Sequence, residues 1–219
     1  MFELAKSLTQ KLQQGISIIE TVEILRELLR YFHVSPAQFS GTWHPYGFLV
    51  IKLYTAEESG TTLRLHIWPK EARTRQIPDW PVHSHPWLIH SRILCGTITN
   101  MIYEVEENNP KSSCRLYTVK YSNNLSILEA TDIKVSCEIA SSESYILGQD
   151  YIVNSKQYHV TNVQENIFAS TIVLTTKPTD KLPNVVGEFG YKQTYCFERR
   201  ICEPHILKLL IEQLESNLK

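Results

Sequence analysis

Between residues 47 and 178 the chain is cut into short apolar segments: GFLVIKLYTA, TTLRLHIW, GTITNMIYEV, SCRLYTVKY, ESYILGQDYIV and ASTIVLTT. Each is rich in β-branched and aromatic residues, and turn-forming clusters such as SG, ENNPKSS and YSNN separate them. Strands of this length and near-regular spacing, without intervening helical patterns, predict an antiparallel barrel or sandwich. The ends read differently. Ile18, Val22, Leu25, Leu28 and Leu29 recur at helical spacing with Glu20, Glu23 and Glu27 on the opposite face, and Ser35-Pro36 stops that pattern. A second helix is predicted over EPHILKLLIEQLESNLK, with proline in its first turn and Ile206, Leu209, Leu210 and Leu214 on one face. The expected layout is a helical segment over 1–40, a β-barrel over 41–180, and an extension with a terminal helix over 181–219, all in one domain.

Charge and composition narrow the function. The 219 residues carry 22 Lys and Arg against 23 Asp and Glu, and the basic residues are scattered, which argues against a nucleic-acid surface. No apolar stretch approaches the roughly 18 residues that span a bilayer. The N-terminal MFELAKSLTQKLQQG lacks the apolar centre of a signal peptide. Five cysteines without a CxxC pair fit a reduced setting, so a cytoplasmic location is expected.

Chemistry concentrates in PVHSHPWLIHSRILCG, where His83, His85 and His90 fall within eight positions. On a strand, residues two apart share a face, so His83 and His85 project together about 7 Å apart along the chain. Two such imidazoles can converge on one ion at about 2.0–2.1 Å, with a third ligand supplied from elsewhere. His159, in GQDYIVNSKQYHVTN between two strand-like runs, is the candidate. His90, four residues beyond His85, is either an additional ligand or a turn residue that touches no metal.

Spacing around these histidines resembles the cupin superfamily. Gly148 and His159 stand at the separation of the glycine and histidine of the second cupin motif, with Asn154 and Lys156 in its proline and glycine places and Asn162 one position early for its asparagine. His83-Ser84-His85 and Gly96 fit the first motif, whose glutamate position is held by Ile89 or His90. Loss of that glutamate is similar to the cysteine dioxygenase-like, or thiol dioxygenase, three-histidine group. The resemblance covers about residues 47 to 178. It implies a mostly β fold, a double-stranded β-helix (jelly-roll) barrel with N-terminal helices and a C-terminal helix, and His83, His85 and His159 as ligands to Fe(II), with Zn, Ni or Mn as alternatives.

In Leu63-Arg64-Leu65-His66-Ile67-Trp68 the residues alternate, and the resemblance turns the Arg64, His66 and Trp68 face into the barrel mouth. Arg64 would then clamp an acidic group and His66 would exchange a proton. Lys52, on the preceding strand, is the other candidate for an acid group. Tyr151 reads as a pocket residue or as barrel packing. The function expected is a non-haem iron dioxygenase or oxygenase, with a small thiol-, amino- or carboxylate-bearing substrate and O2 as its partners. The alternatives are an oxygen-independent metal-dependent isomerase or lyase, and a small-molecule-binding protein without activity. Exposed strand edges and amphipathic helices make a homodimer compatible with the sequence.

Overall fold

A computed structural model describes residues 1–189 and 192–218; Gly190, Tyr191 and Lys219, all within the expected 181–219 segment, lie outside the described residues. The chain begins with helices α1, Phe2–Gln13, and α2, Ile18–Val34. Ser17 and Glu20 form a reciprocal capping box at the start of α2, which satisfies backbone donors that a helix N-terminus leaves unpaired. Helix α2 ends at Ser35, held at φ −140° before Pro36, and a single 3₁₀ turn, Pro36–Gln38, leads into the sheets.

The β region comprises β1 (Gly41–Trp43), β2 (Leu49–Thr55), β3 (Thr62–Trp68), β4 (Ile89–Cys95), β5 (Ile98–Glu107), β6 (Cys114–Ser122), β7 (Leu125–Tyr145), β8 (Asp150–Val153), β9 (Tyr158–Asn162), β10 (Ala169–Thr175), β11 (Asn184–Glu188) and β12 (Thr194–Glu198). They form two antiparallel sheets. One runs β1-β2-β3-β10-β4-β8, and the other β11-β6-β7-β5-β9 with β12 beside β7. The strands do not stop at residue 180. β11 pairs with β6 and bridges to His83 through Val185, so the C-terminal segment completes the second sheet.

Alternation along β3 divides the molecule. Leu63, Leu65 and Ile67 join Leu49, Ile51, Leu94, Ile172 and Leu174 in a layer covered by α1, α2 and the last helix, α3, Pro204–Asn217. Each such fully buried aliphatic side chain contributes about 1.5–3 kcal/mol relative to exposure. Trp68, on the other face of β3, packs with Ile89, Ile93, Tyr151 and Val173 on the side away from the helices. The buried stripe of α3 is Leu207, Leu210, Ile211 and Leu214; Leu209 is 58% exposed, which rotates the face one position from the sequence expectation. Pairing Leu210 with Leu207 and Ile211 keeps the i, i+3, i+4, i+7 spacing, so both frames fit the periodicity and packing selects one.

No helix among the described residues is long and apolar enough to cross a membrane. The chain is mostly β.

Candidate metal centre

Residues 69 to 88 connect β3 to β4; the stretch 81 to 88 lies outside regular strands, and its Pro81 and Pro86 lack the N–H donors that a ladder uses. One bridge holds the segment in place. The His83 N–H donates to His159 O (3.2 Å) and the His159 N–H donates to His83 O (2.9 Å), setting the two residues directly opposite. The Lys156 N–H donates to His85 O at 2.8 Å, which anchors the second histidine to the turn before β9. His83, His85 and His159 are thereby gathered so that one nitrogen from each lies within 4.8 Å of the others.

Hydrogen bonds orient two of the rings. His83 Nδ1–H donates to Pro81 O (2.7 Å), and His159 Nδ1–H donates to Asn100 Oδ1 (3.0 Å). With Nδ1 protonated, each neutral ring has its lone pair on Nε2. His85 Nε2 lies 3.1 Å from His159 Nε2. Two imidazole nitrogens that share one ion at about 2.1 Å stand about 3.0–3.4 Å apart, so this edge already has the length a common cation needs. Burial keeps the rings neutral, as ligation requires. It lowers His83 to about 4 against the pull of the Pro81 hydrogen bond. Burial first, and then the neighbouring histidines, hold His85 and His159 well below the usual imidazole range.

These rings open onto a cavity of about 800 Å³ between the sheets. Arg64, His66 and Trp68 all line it, as does Tyr151, whose hydroxyl lies 3.5 Å from Thr161 Oγ1. Arg64 rests on the Trp87 ring at 4.8 Å. Burial, and then Arg64, bring His66 down to about 3; its Nε2 is buried without a hydrogen-bond partner, beside Phe48 at 5.1 Å. Lys52 is exposed at the cavity edge, opposite Arg64 in the β2–β3 ladder.

His90 is placed elsewhere. Its Nε2 bonds Asp150 Oδ2 at 3.0 Å, and Arg92 grips the same carboxylate through Nε (2.7 Å) and Nη2 (2.8 Å). Arg92 Nη1 continues to Ile16 O and Thr21 Oγ1, tying β4 to the α1–α2 connection. Ile89 of β4 lines the cavity, so the neighbouring His90 points to the opposite face and is neither a ligand nor a pocket residue. Of the two readings of His90, strand parity removes the additional ligand; the residue stands apart from the three-histidine group, but in β4 and not in a turn.

Three participants escape a reading of the sequence. Asn100 lies on β5, in a segment recognisable only as a strand. His44, whose His-Pro dipeptide reads as a turn, does sit in one, but the turn folds over the cavity and stacks the imidazole on Phe48 at 4.3 Å. Arg199, just beyond β12, reaches the same cavity.

The structure therefore defines a mostly β protein with a largely buried three-histidine group that could hold a metal ion. No family model matches the chain, and no curated protein matches it.

Proposed function

We propose that the chain is a cupin-type mononuclear metalloprotein, an Fe(II)-dependent oxygenase acting on a small organic molecule that bears a thiol, amine or carboxylate. The carrying observation is the donor set: three convergent neutral imidazoles, two with Nδ1 committed to acceptors, and no Asp or Glu among the described residues that line the cavity. Imidazoles suit a first-row divalent ion, and without a carboxylate the ion keeps its full double charge for an anionic substrate. When bound, Fe(II) would supply the electron transfer that makes dioxygen reactive.

The backbone also supports the family reading. Gly96 (φ 76°), Gly148 (φ 80°) and Lys156 (φ 67°) are all left-handed, and all occupy glycine positions of the two cupin motifs. A lysine adopts that conformation where a turn demands it, and here the turn delivers the hydrogen bond to His85 O. The protein's own groups divide the remaining work. Pro81 and Asn100 hold the rings of His83 and His159, Arg64 offers an acid group its fork, and Phe48, Trp68 and Trp87 keep water from the reacting end.

The test is metal content of anaerobically purified wild type beside His83→Ala and His159→Ala, followed by oxygen uptake with thiols, amino acids and carboxylic acids. Near-stoichiometric iron that disappears in both variants, with substrate-dependent uptake, is expected. Zinc, nickel or manganese with the same dependence, and no uptake, would replace it with the oxygen-independent isomerase or lyase. Absence of metal after Fe(II) is returned would leave a small-molecule-binding barrel.

A further inference from the structure

The cavity has room for an organic molecule with a sizeable apolar body. Its volume of about 800 Å³ lies in the upper part of the range of about 300–1,000 Å³ that takes drug-sized ligands. Phe48, Trp68, Trp87 and Tyr103 give it aromatic walls. Against these stand five cations and, among the described residues, no acidic side chain.

The cations are not equivalent. Arg73 is spent on the carbonyls of Pro69, Val163, Gln164 and Ile167. Arg75 pairs with Asp79 at 3.0 Å and faces Glu165 at 3.9 Å. Lys52 is at the solvent edge. Two guanidinium groups remain. Arg64, from the first sheet, has the Trp87 ring beneath it and no carboxylate partner among the described residues. Arg199, following β12 of the second sheet, gives Nε to Ser126 Oγ (2.9 Å), lies 4.2 Å from the Tyr121 ring, and likewise has no carboxylate among the described residues. Burial first lowers the Arg64 pKa, Tyr121 opposes it, and Arg199 adds to it, so the two guanidiniums that line this cavity feel one another. Two half-desolvated guanidiniums in one cavity without a counter-ion leave a place for an anion from outside.

We propose that Arg64 and Arg199 clamp the carboxylate of an amphipathic organic acid whose aromatic or extended apolar body lies along the Phe48, Trp68 and Trp87 wall. Identifying this acid as the substrate rests on the metalloenzyme reading above; its binding does not. A carboxylate matches the planar fork of arginine in pairs of hydrogen bonds, and the aromatic wall buries the remainder of the molecule.

The experiment titrates the full chain with 3-phenylpropionate and 4-phenylbutyrate, and separately with their neutral amides, following quenching of tryptophan fluorescence. Saturable binding of an acid, at least about tenfold tighter than its amide, is expected, as is a loss of about tenfold or more in each of Arg64→Gln and Arg199→Gln. Thermal melts check that the variants fold, and the acid-against-amide comparison in wild type needs no variant. Equal affinity for acid and amide, wild-type affinity in both variants, or no saturation by either acid up to about 10 mM would overturn the clamp. His159→Ala keeps the two readings apart. Acid binding that survives there, with no metal in the wild type, upholds the clamp while the metalloenzyme reading falls.

Discussion

The Nδ1–H of His159 donates to Asn100 Oδ1 across 3.0 Å, and both side chains are buried, Asn100 to 4% exposure. The two strands run antiparallel with Ile102 opposite His159, so Asn100 reaches the ring diagonally from the neighbouring β5. An amide oxygen in this position sets which nitrogen faces the other two histidines. Asn100→Leu removes the acceptor and strands a buried N–H. Metal affinity is expected to fall by about 10- to 100-fold, as for loss of other supporting partners of ligating histidines. Asn100→Asp keeps an acceptor and should retain most of the affinity. Competition against a chromogenic chelator measures both, and equal affinities for wild type and the leucine variant would show that the ring needs no such support.

Metal removal should be visible as lost stability. At a free concentration about a thousandfold above Kd, a ligand that binds only the folded state adds about 4 kcal/mol. For a chain of this size each kcal/mol moves Tm by about 2–4 °C. Dialysis against a chelator is expected to lower Tm by about 8–16 °C, with recovery on adding the divalent ion back. His85→Ala should show neither the drop nor the recovery. A wild-type melt indifferent to chelator and metal would count against the three-histidine centre.

Acid should loosen the junction between the helices and β4. Burial alone would raise the Asp150 pKa, but the hydrogen bonds from His90 and Arg92 and the Arg92 charge outweigh it and bring Asp150 from 3.8 to about 2. A depressed carboxylate stabilises the fold above its unfolded pKa, and that stabilisation fades as pH falls from 3.8 towards 2. Because the carboxylate is partly solvated, the contribution is about 1 kcal/mol. Asp150→Asn is therefore expected to melt about 2–4 °C below wild type at pH 7 and to converge with it near pH 2. A constant gap across that range would mean that the effect is not electrostatic.

Gly96, between β4 and β5, tolerates no side chain. Its φ is 76°, and a Cβ there would come within 2.5 Å of Phe168 O and 2.7 Å of Ala169 Cβ. Gly96→Ala adds left-handed strain of about 1–2 kcal/mol to a clash with backbone that cannot swing aside. A fall in Tm of at least about 4 °C is expected from differential scanning calorimetry, and a smaller one for Gly15→Ala, where φ is also left-handed (80°) but a Cβ meets nothing within 4 Å, so that only the strain is felt.

Some of this was legible beforehand for definite reasons. Alternation of Leu63, Leu65 and Ile67 with Arg64, His66 and Trp68 is a period-two signal that survives in any pleated strand, and the two sets do part to helix layer and cavity. The His83-Ser84-His85 pair was visible because its members are neighbours in sequence. β7 was not, because much of its outer face is solvated and its serines and glutamates dilute the apolar alternation expected of a strand. Nor were β11 and β12, short segments whose pairing with β6 and β7 depends on distant partners. Asn100, His44 and Arg199 acquire meaning only through contacts across the chain. Nothing local distinguishes an asparagine that holds an imidazole from one that faces water. His90 stayed open between ligand and bystander for the opposite reason, since sequence proximity to His85 conceals the strand parity that turns it away from the cavity.

The reciprocal backbone bridge between His83 and His159 has a kinetic side. His85 and His159 are 74 residues apart, and their approach requires most of the intervening strands to have paired. Closing so long a stretch is entropically slow compared with forming the α1–α2 hairpin. A nascent chain would therefore offer a metal ion at most the neighbouring pair His83 and His85, and the third donor, His159, would arrive only as the last sheet contacts form. The bridge makes the proposed centre a clasp across the finished second sheet, one that a metal would close after folding rather than guide.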